Sequence, residues 1–224
     1  MARVPPGIYG ITSRDFGMGH VEAARLFLEA GIRIVQYREK SAPARRMVEE
    51  ARAIRELCSS YGATFIVDDR ADVAYAADAD GVHVGQEDVP VEALRRMLGG
   101  AIIGASASTP EEARRAEEEG ADYLGVGSVF PTGTKGDARV IGLEGLRAVL
   151  KATRLPVYAI GGIRIEHVRV LKGVGVHGVA VISGILGSPD PRRAAEEFVR
   201  AWSGRGTWLY RRRPSCRRAA SRRR

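Results

Sequence analysis

Along the whole chain, short runs with apolar residues at every or every second position alternate with longer stretches where they recur every third or fourth. The first pattern has the two-residue period of a strand and the second the 3.6-residue period of an amphipathic helix. Gly7–Thr12 (GIYGIT) predicts a strand, and a helix follows around His20–Ala30. Further strands are predicted over Ile32–Arg38, Thr64–Asp68, Gly81–Val84, Ala101–Ala105, Tyr123–Val126, Val157–Ile160 and Gly178–Ile182. Each is followed by a helical stretch: Pro43–Tyr61, Ala71–Ala77, Pro90–Leu98, Thr109–Glu119, Leu143–Leu150, Ile165–Lys172 and Pro191–Trp202. Thr109 illustrates a helix start. Its hydroxyl can accept from a first-turn amide, Pro110 suits the first helical position, and Glu111 and Glu112 favour the positive end of the helix dipole.

Repeated strand–helix alternation implies parallel strands joined by right-handed crossovers. Eight units favour an α/β fold of the closed (β/α)₈ TIM-barrel type over an open, doubly wound sheet. The length of 224 residues fits one such domain, assigned here to residues 1–204.

The formal charge of +8 suggests nucleic-acid binding until its location is examined. Nine arginines and no acids fall between Arg205 and Arg224, which leaves residues 1–204 close to neutral. Residues 205–224 are therefore expected to form a solvated, disordered basic tail rather than a specific nucleic-acid site. The two cysteines, Cys58 and Cys216, suggest neither a disulfide framework nor a metal cluster. No apolar run reaches about 18 residues, so no membrane span is expected. A cytoplasmic protein is the expectation, and the sequence leaves a homo-oligomer open.

Chemistry in these barrels sits where strands end and loops begin. Behind the second strand, alternation points Gln36, Arg38 and Lys40 to one side, where an amide and two cations suit a pyrophosphate. Surface charges paired with Glu39 are the alternative. Asp68-Asp69-Arg70 follows the third strand and Gly85-Gln86-Glu87-Asp88 the fourth. Asp69 and Asp88 together could hold Mg²⁺, which takes one or two carboxylates plus waters and substrate phosphates. Ser106 follows the fifth strand without a histidine near it in sequence, so hydrogen bonding is expected of it rather than nucleophilic attack. Thr132-Gly133-Thr134-Lys135 suits an anion, though its spacing is not that of a Walker loop. Gly161-Gly162 and Ser183-Gly184 close the seventh and eighth strands, where phosphate sites are often built. Two anion sites with a metal at one of them point to a transferase that joins two phosphorylated small molecules.

At these residues the chain resembles the thiamine-phosphate synthase family. The matching segments are Val35–Lys40, Asp69-Arg70, Ala79–Asp88, Gly120–Tyr123, Pro131–Lys135 and Ala159–Ile163, in the family's order. The resemblance implies a pyrimidine pyrophosphate and a thiazole phosphate as substrates, Mg²⁺ as cofactor, and thiamine phosphate and pyrophosphate as products. It implies that Gln36, Arg38, Lys40, Asp68, Ser106 and Lys135 bind the pyrophosphate, with Arg38, Ser106 and Lys135 as the catalytic set. Asp69 and Asp88 would hold the metal. Thr132, Thr134, Gly162, Ile182 and Ser183 would cradle the thiazole phosphate, and Tyr37, Glu39 and Gly133 join the substrate-binding set. Two departures stand out: Asp68 occupies a position where the family usually has asparagine, and so does His167. The nearest rival is the related thiazole tautomerase, which needs a proton-transfer group rather than a pyrophosphate–metal site.

Overall fold

The computed structural model describes residues 4–133 and 139–204. Eight parallel strands are hydrogen-bonded in sequence order, and the last closes on the first. They are β1 (Gly7–Ile11), β2 (Ile34–Tyr37), β3 (Thr64–Asp68), β4 (Gly81–Val84), β5 (Ile102–Ala107), β6 (Tyr123–Val126), β7 (Val157–Ala159) and β8 (Gly178–Val181). The helices are α1 (His20–Glu29), α2 (Ala44–Ser60), α3 (Ala71–Ala76), α4 (Val91–Leu98), α5 (Pro110–Glu118), α6 (Gly142–Ala152), α7 (Val168–Val174), α8 (Ser183–Leu186) and α9 (Pro191–Ser203). This is the expected (β/α)₈ barrel. The Thr109 side chain caps α5, accepting from the Glu112 amide at 3.2 Å.

Two short elements escape the pattern. A 3₁₀ turn at Arg14–Phe16 is held by the Ser13 hydroxyl, which accepts from the Asp15 amide at 3.3 Å, and ends at Gly17 with φ 75°. The four-residue α8 opens at Ser183, where the sequence predicts only a loop. The helix predicted from Ile165 also divides, into a 3₁₀ turn at Ile165–His167 and then α7.

The strands' alternation separates two apolar layers. Ile8, Val35, Phe65, Val67, Ile103 and Leu124 face the helices, while Tyr9, Ile11, Ile34, Ile66, Ile102, Tyr123, Tyr158 and Ala180 fill the interior. Three interior tyrosine rings, Tyr9, Tyr123 and Tyr158, pack edge to face with centroids 5.2–6.0 Å apart. They fit because neighbouring strands carry glycine: a Cβ on Gly104 would lie 2.2 Å from Tyr123 Cζ, and one on Gly178 2.5 Å from Tyr158 Cε1. At the barrel floor the Tyr158 hydroxyl donates to the Pro5 carbonyl, and His177 Nε2 hydrogen-bonds the Val4 carbonyl at 3.0 Å. Asp80 and Asp122 also act below the strands. Their carboxylates accept from the Phe65 and Ile103 amides, each at 2.8 Å, tying β3 and β5 to their neighbours. Both belong to segments that carry the family resemblance, yet their work is structural.

Candidate active site

The open end of the barrel gathers the charged residues at the ends of β2, β3 and β4. Gln36 lies in β2, 3% exposed, and its Nε2 donates to the Tyr9 hydroxyl at 2.9 Å inside the barrel. Two and four residues on, Arg38 and Lys40 rise to the rim on the same side. Lys40 Nζ donates to Asp68 Oδ2 at 2.7 Å and also to Asp69 Oδ2, and Arg38 Nε lies 3.8 Å from Asp68 Oδ2. The structure thus brings together Arg38, Lys40, Asp68 and Asp69, with Gln36 bonded to Tyr9 inside the barrel.

The electrostatics of this cluster pull in two directions. Burial raises the Asp68 carboxyl above its ordinary pKa, and the charges of Lys40 and Arg38 oppose that rise without cancelling it. Asp69 is raised too, by burial and then by the negative charges of Asp68 and Asp88. For Lys40, burial acts to lower the pKa, and the two aspartates outweigh it and hold the ammonium charged. Three carboxylates at one rim therefore repel one another and invite a further cation. Asp69 also takes a left-handed backbone, φ 56°, an uncommon conformation for a residue with a side chain. Its amide meanwhile donates to the His83 carbonyl at 2.8 Å. Asp88 closes the loop after β4 by accepting from the Gly85 amide at 2.7 Å.

Tyr37 and Glu39 do not join this cluster. The same two-residue period that turns Gln36, Arg38 and Lys40 inward sends them to the helix layer. The Tyr37 hydroxyl donates to Glu50 at 3.0 Å. Glu39 accepts from Arg14 Nε, meets His20 Nε2 at 3.2 Å, and takes the Ser41 and Ala42 amides. Among the described residues, the one group of three or more His, Cys, Asp or Glu whose ligating atoms converge within 4.8 Å is His20, Glu39 and Glu50. Arg14 pairs with both glutamates and Arg46 with Glu50, so this cluster already holds its cations. The expected metal pair, Asp69 and Asp88, lies at the barrel mouth instead.

Ser106, expected to follow the fifth strand, lies within β5; its Oγ is 3.1 Å from His83 Nε2, and His83 Nδ1 is 3.1 Å from the Tyr123 hydroxyl. The two residues are 23 positions apart in sequence; β4–β5 register, which pairs His83 with Gly104, brings them together. Burial lowers the His83 pKa to about 4, so the imidazole is neutral at neutral pH. Among the described residues the His83 ring bonds Tyr123 and Ser106 and no carboxylate, which makes the arrangement a hydrogen-bonding one rather than a nucleophilic triad.

The rim beyond β6 is built by glycine. The Val129 and Phe130 amides donate to the Ile160 and Gly161 carbonyls at 2.9 and 3.1 Å, laying the chain toward Pro131, Thr132 and Gly133 against the end of β7. Gly162 has φ 60°, and a Cβ there would lie 2.3 Å from the Pro131 carbonyl. Gly184, in α8, would place its Cβ 2.4 Å from the Ile163 carbonyl, so the ends of β7 and β8 touch beside Ile182 and Ser183. His167 stacks on Phe130 with ring centroids 3.8 Å apart, which holds the outer side of the same loop. Thr134 and Lys135 lie outside the described residues, as does the segment from Arg205 onward.

Comparison with known proteins decides among the chemistries this geometry allows. Residues 8–185 match the family described as thiamine monophosphate synthase. The chain belongs to that family. A thiamine-phosphate synthase of Caldivirga maquilingensis is 55% identical over 201 residues, covering 89% of this chain and 98% of the relative. One from Pyrococcus furiosus is 51% identical over 191 residues, covering 85% and 92%. The solved thiamine phosphate pyrophosphorylase from Pyrococcus furiosus superposes with a TM-score of 0.84 at 48% identity, over 88% of this chain and 96% of that one. In this thiamine monophosphate synthase family member Asp68 stands beside Arg38 and Lys40, and His167 stacks on Phe130. Among the described residues no helix is long and apolar enough to cross a membrane.

Proposed function

We propose that this chain condenses 4-amino-2-methyl-5-(diphosphooxymethyl)pyrimidine with a thiazole phosphate to give thiamine phosphate and pyrophosphate. Family membership over residues 8–185 carries the reading, and the cationic rim of Arg38 and Lys40 against Asp68 and Asp69 supports it. In the reaction the bond between the pyrimidine methylene and the pyrophosphate oxygen breaks, its electron pair leaving with pyrophosphate. The thiazole nitrogen lone pair then forms the new C–N bond. No protein nucleophile is needed; the barrier falls through groups placed where negative charge develops.

Arg38 and Lys40 bind the pyrophosphate from the β2 side, Gln36 lies below them, and Ser106 faces it from β5. Lys135, outside the described residues, is assigned to the same anion by the resemblance. Asp69 and Asp88 offer the all-oxygen ligands that Mg²⁺ prefers, and the burial and mutual repulsion that raise Asp69 are those of a rim short of positive charge. When bound there, Mg²⁺ supplies charge neutralisation for the departing pyrophosphate. Lys40 bridges Asp68 and Asp69, and would yield Asp69 to a divalent cation held there. Thr132, Gly133 and Thr134, with Gly162, Ile182 and Ser183, hold the thiazole phosphate on the opposite rim.

The test is incubation of the purified protein with both phosphorylated substrates, with and without Mg²⁺, following thiamine phosphate by mass. Metal-dependent product is expected, and it would show that Asp68 is tolerated. Isomerisation of the thiazole phosphate with the pyrimidine substrate omitted would overturn the reading in favour of a tautomerase.

A further inference from the structure

A chain of hydrogen bonds crosses the barrel from β2 to β5 through five side chains. Gln36 Nε2 meets the Tyr9 hydroxyl at 2.9 Å, Tyr9 meets the Tyr123 hydroxyl at 2.8 Å, Tyr123 meets His83 Nδ1 at 3.1 Å, and His83 Nε2 meets Ser106 Oγ at 3.1 Å. The direction of this chain follows from proton counting. An amide NH₂ only donates, so the Tyr9 oxygen accepts there. The one hydroxyl proton of Tyr9 then goes to Tyr123, and that of Tyr123 goes to Nδ1. The imidazole consequently carries its proton on Nε2 and donates it to Ser106. The Ser106 hydroxyl proton is left over, at the end of the chain that faces the rim.

We propose that His83 is a positioning residue, held by Tyr123 as the Nε2–H tautomer so that the Ser106 hydroxyl presents its proton to the pyrophosphate. This rests on the reading of Ser106 as a pyrophosphate ligand. The opposite direction would set the Tyr9 hydroxyl proton against the Gln36 amide protons, two donors face to face between buried side chains. Gly104 and Gly125 leave the ring no slack: a Cβ on the first would lie 2.5 Å from His83 Nδ1 and on the second 3.0 Å from Cε1. A protonated imidazole, a donor on both nitrogens, would break the same order. Without His83 donating to it, the Ser106 hydroxyl is free to turn its proton away from the anion.

The first measurement is the ¹⁵N spectrum of the histidine rings in the full, wild-type chain, which has four histidines. A proton on Nε2 of His83 is expected; a proton on Nδ1 overturns the proposal without any variant having to fold. The second is calorimetric binding of inorganic pyrophosphate with Mg²⁺. His83→Gln can accept from Tyr123 through its carbonyl and donate to Ser106 through its amide, whereas His83→Leu can do neither. Affinity is expected to fall about tenfold or more in H83L and less than threefold in H83Q. The double variant H83L with Ser106→Ala should bind no more weakly than S106A alone, since both changes remove one effect. Equal losses in H83Q and H83L, or additive losses in the double variant, overturn the proposal. Wild-type protein that shows the tautomer and the binding pattern but makes no thiamine phosphate would sink the synthase reading and leave this one standing.

Discussion

Glu39 is a residue whose surroundings outweigh its burial. Burial alone would raise its pKa, but the Ser41 and Ala42 amides, the Ser41 hydroxyl and His20 all favour the charged carboxylate and bring it down from 4.5 to about 2. A folded-state pKa below the unfolded one means that the stabilisation is fully present above about pH 4.5 and is lost as pH falls through about 2. Glu39→Gln should therefore destabilise the protein at pH 7 by on the order of 2 kcal/mol. Urea unfolding of both proteins from pH 7 to pH 3 should show the gap narrowing below pH 4.5. A gap that stays constant would remove the ionised carboxylate from the account. Asp88 is the complementary case, a carboxylate proposed to hold a metal. Because its carboxylate also holds the Gly85 amide, Asp88→Asn preserves the loop better than alanine would. Turnover with Mg²⁺ should fall by about 10²-fold or more, with an unchanged circular dichroism spectrum. Near-normal activity would take Asp88 out of the metal site.

At the scale of elements, the loop after β6 and the turn after β7 depend on one another through Gly162. Any side chain there would have to adopt φ 60° and displace the Pro131 and Phe130 carbonyls, 2.3 and 2.8 Å from the new Cβ. Gly162→Ala should raise KM for the thiazole phosphate by about tenfold or more and KM for the pyrimidine substrate by less, because the displaced Phe130–Pro131 backbone runs directly into Thr132 and Gly133 and reaches Lys135 only further along the same segment. Equal rises in both constants would indicate general damage instead. The sequence made much of this legible. The period of two along β2 sets Arg38 and Lys40 on the one side where both meet Asp68, and polar or small residues follow the strands. What it hid depends on register and length. His83 meets Ser106 only through β4–β5 pairing. Tyr37 and Glu39, adjacent to site residues, face the other layer, which a motif match cannot distinguish from the mouth. The four residues of α8 are too few to show a helical period, and Asp80 and Asp122 each give a single acid before a strand, which reads equally as a surface charge.

At the scale of the molecule, the barrel interior is both the core and the support of the proposed site. Tyr9 and Tyr123 fill the space between the strands and also carry the hydrogen-bond chain from Gln36 to His83, so packing and proton order stand or fall together. Gly104 is the position where that coupling can be measured. An added methyl would lie 2.2 Å from Tyr123 Cζ and 2.5 Å from His83 Nδ1, in an interior with rings on every side. Gly104→Ala should lower stability by about 1–3 kcal/mol, the ordinary penalty of overpacking. It should also weaken pyrophosphate binding, since either ring that yields carries its hydrogen bond with it. Gly173, at the exposed end of α7, has open space where a Cβ would stand, with nothing within 4 Å. Gly173→Ala should therefore raise stability by about 0.5–1 kcal/mol through helix propensity alone, with pyrophosphate affinity unchanged. Thermal unfolding and calorimetry on the pair separate the two effects. If G104A lost stability but bound pyrophosphate as well as wild type, the interior rings would be packing material, and the order of protons through them would not matter to the rim.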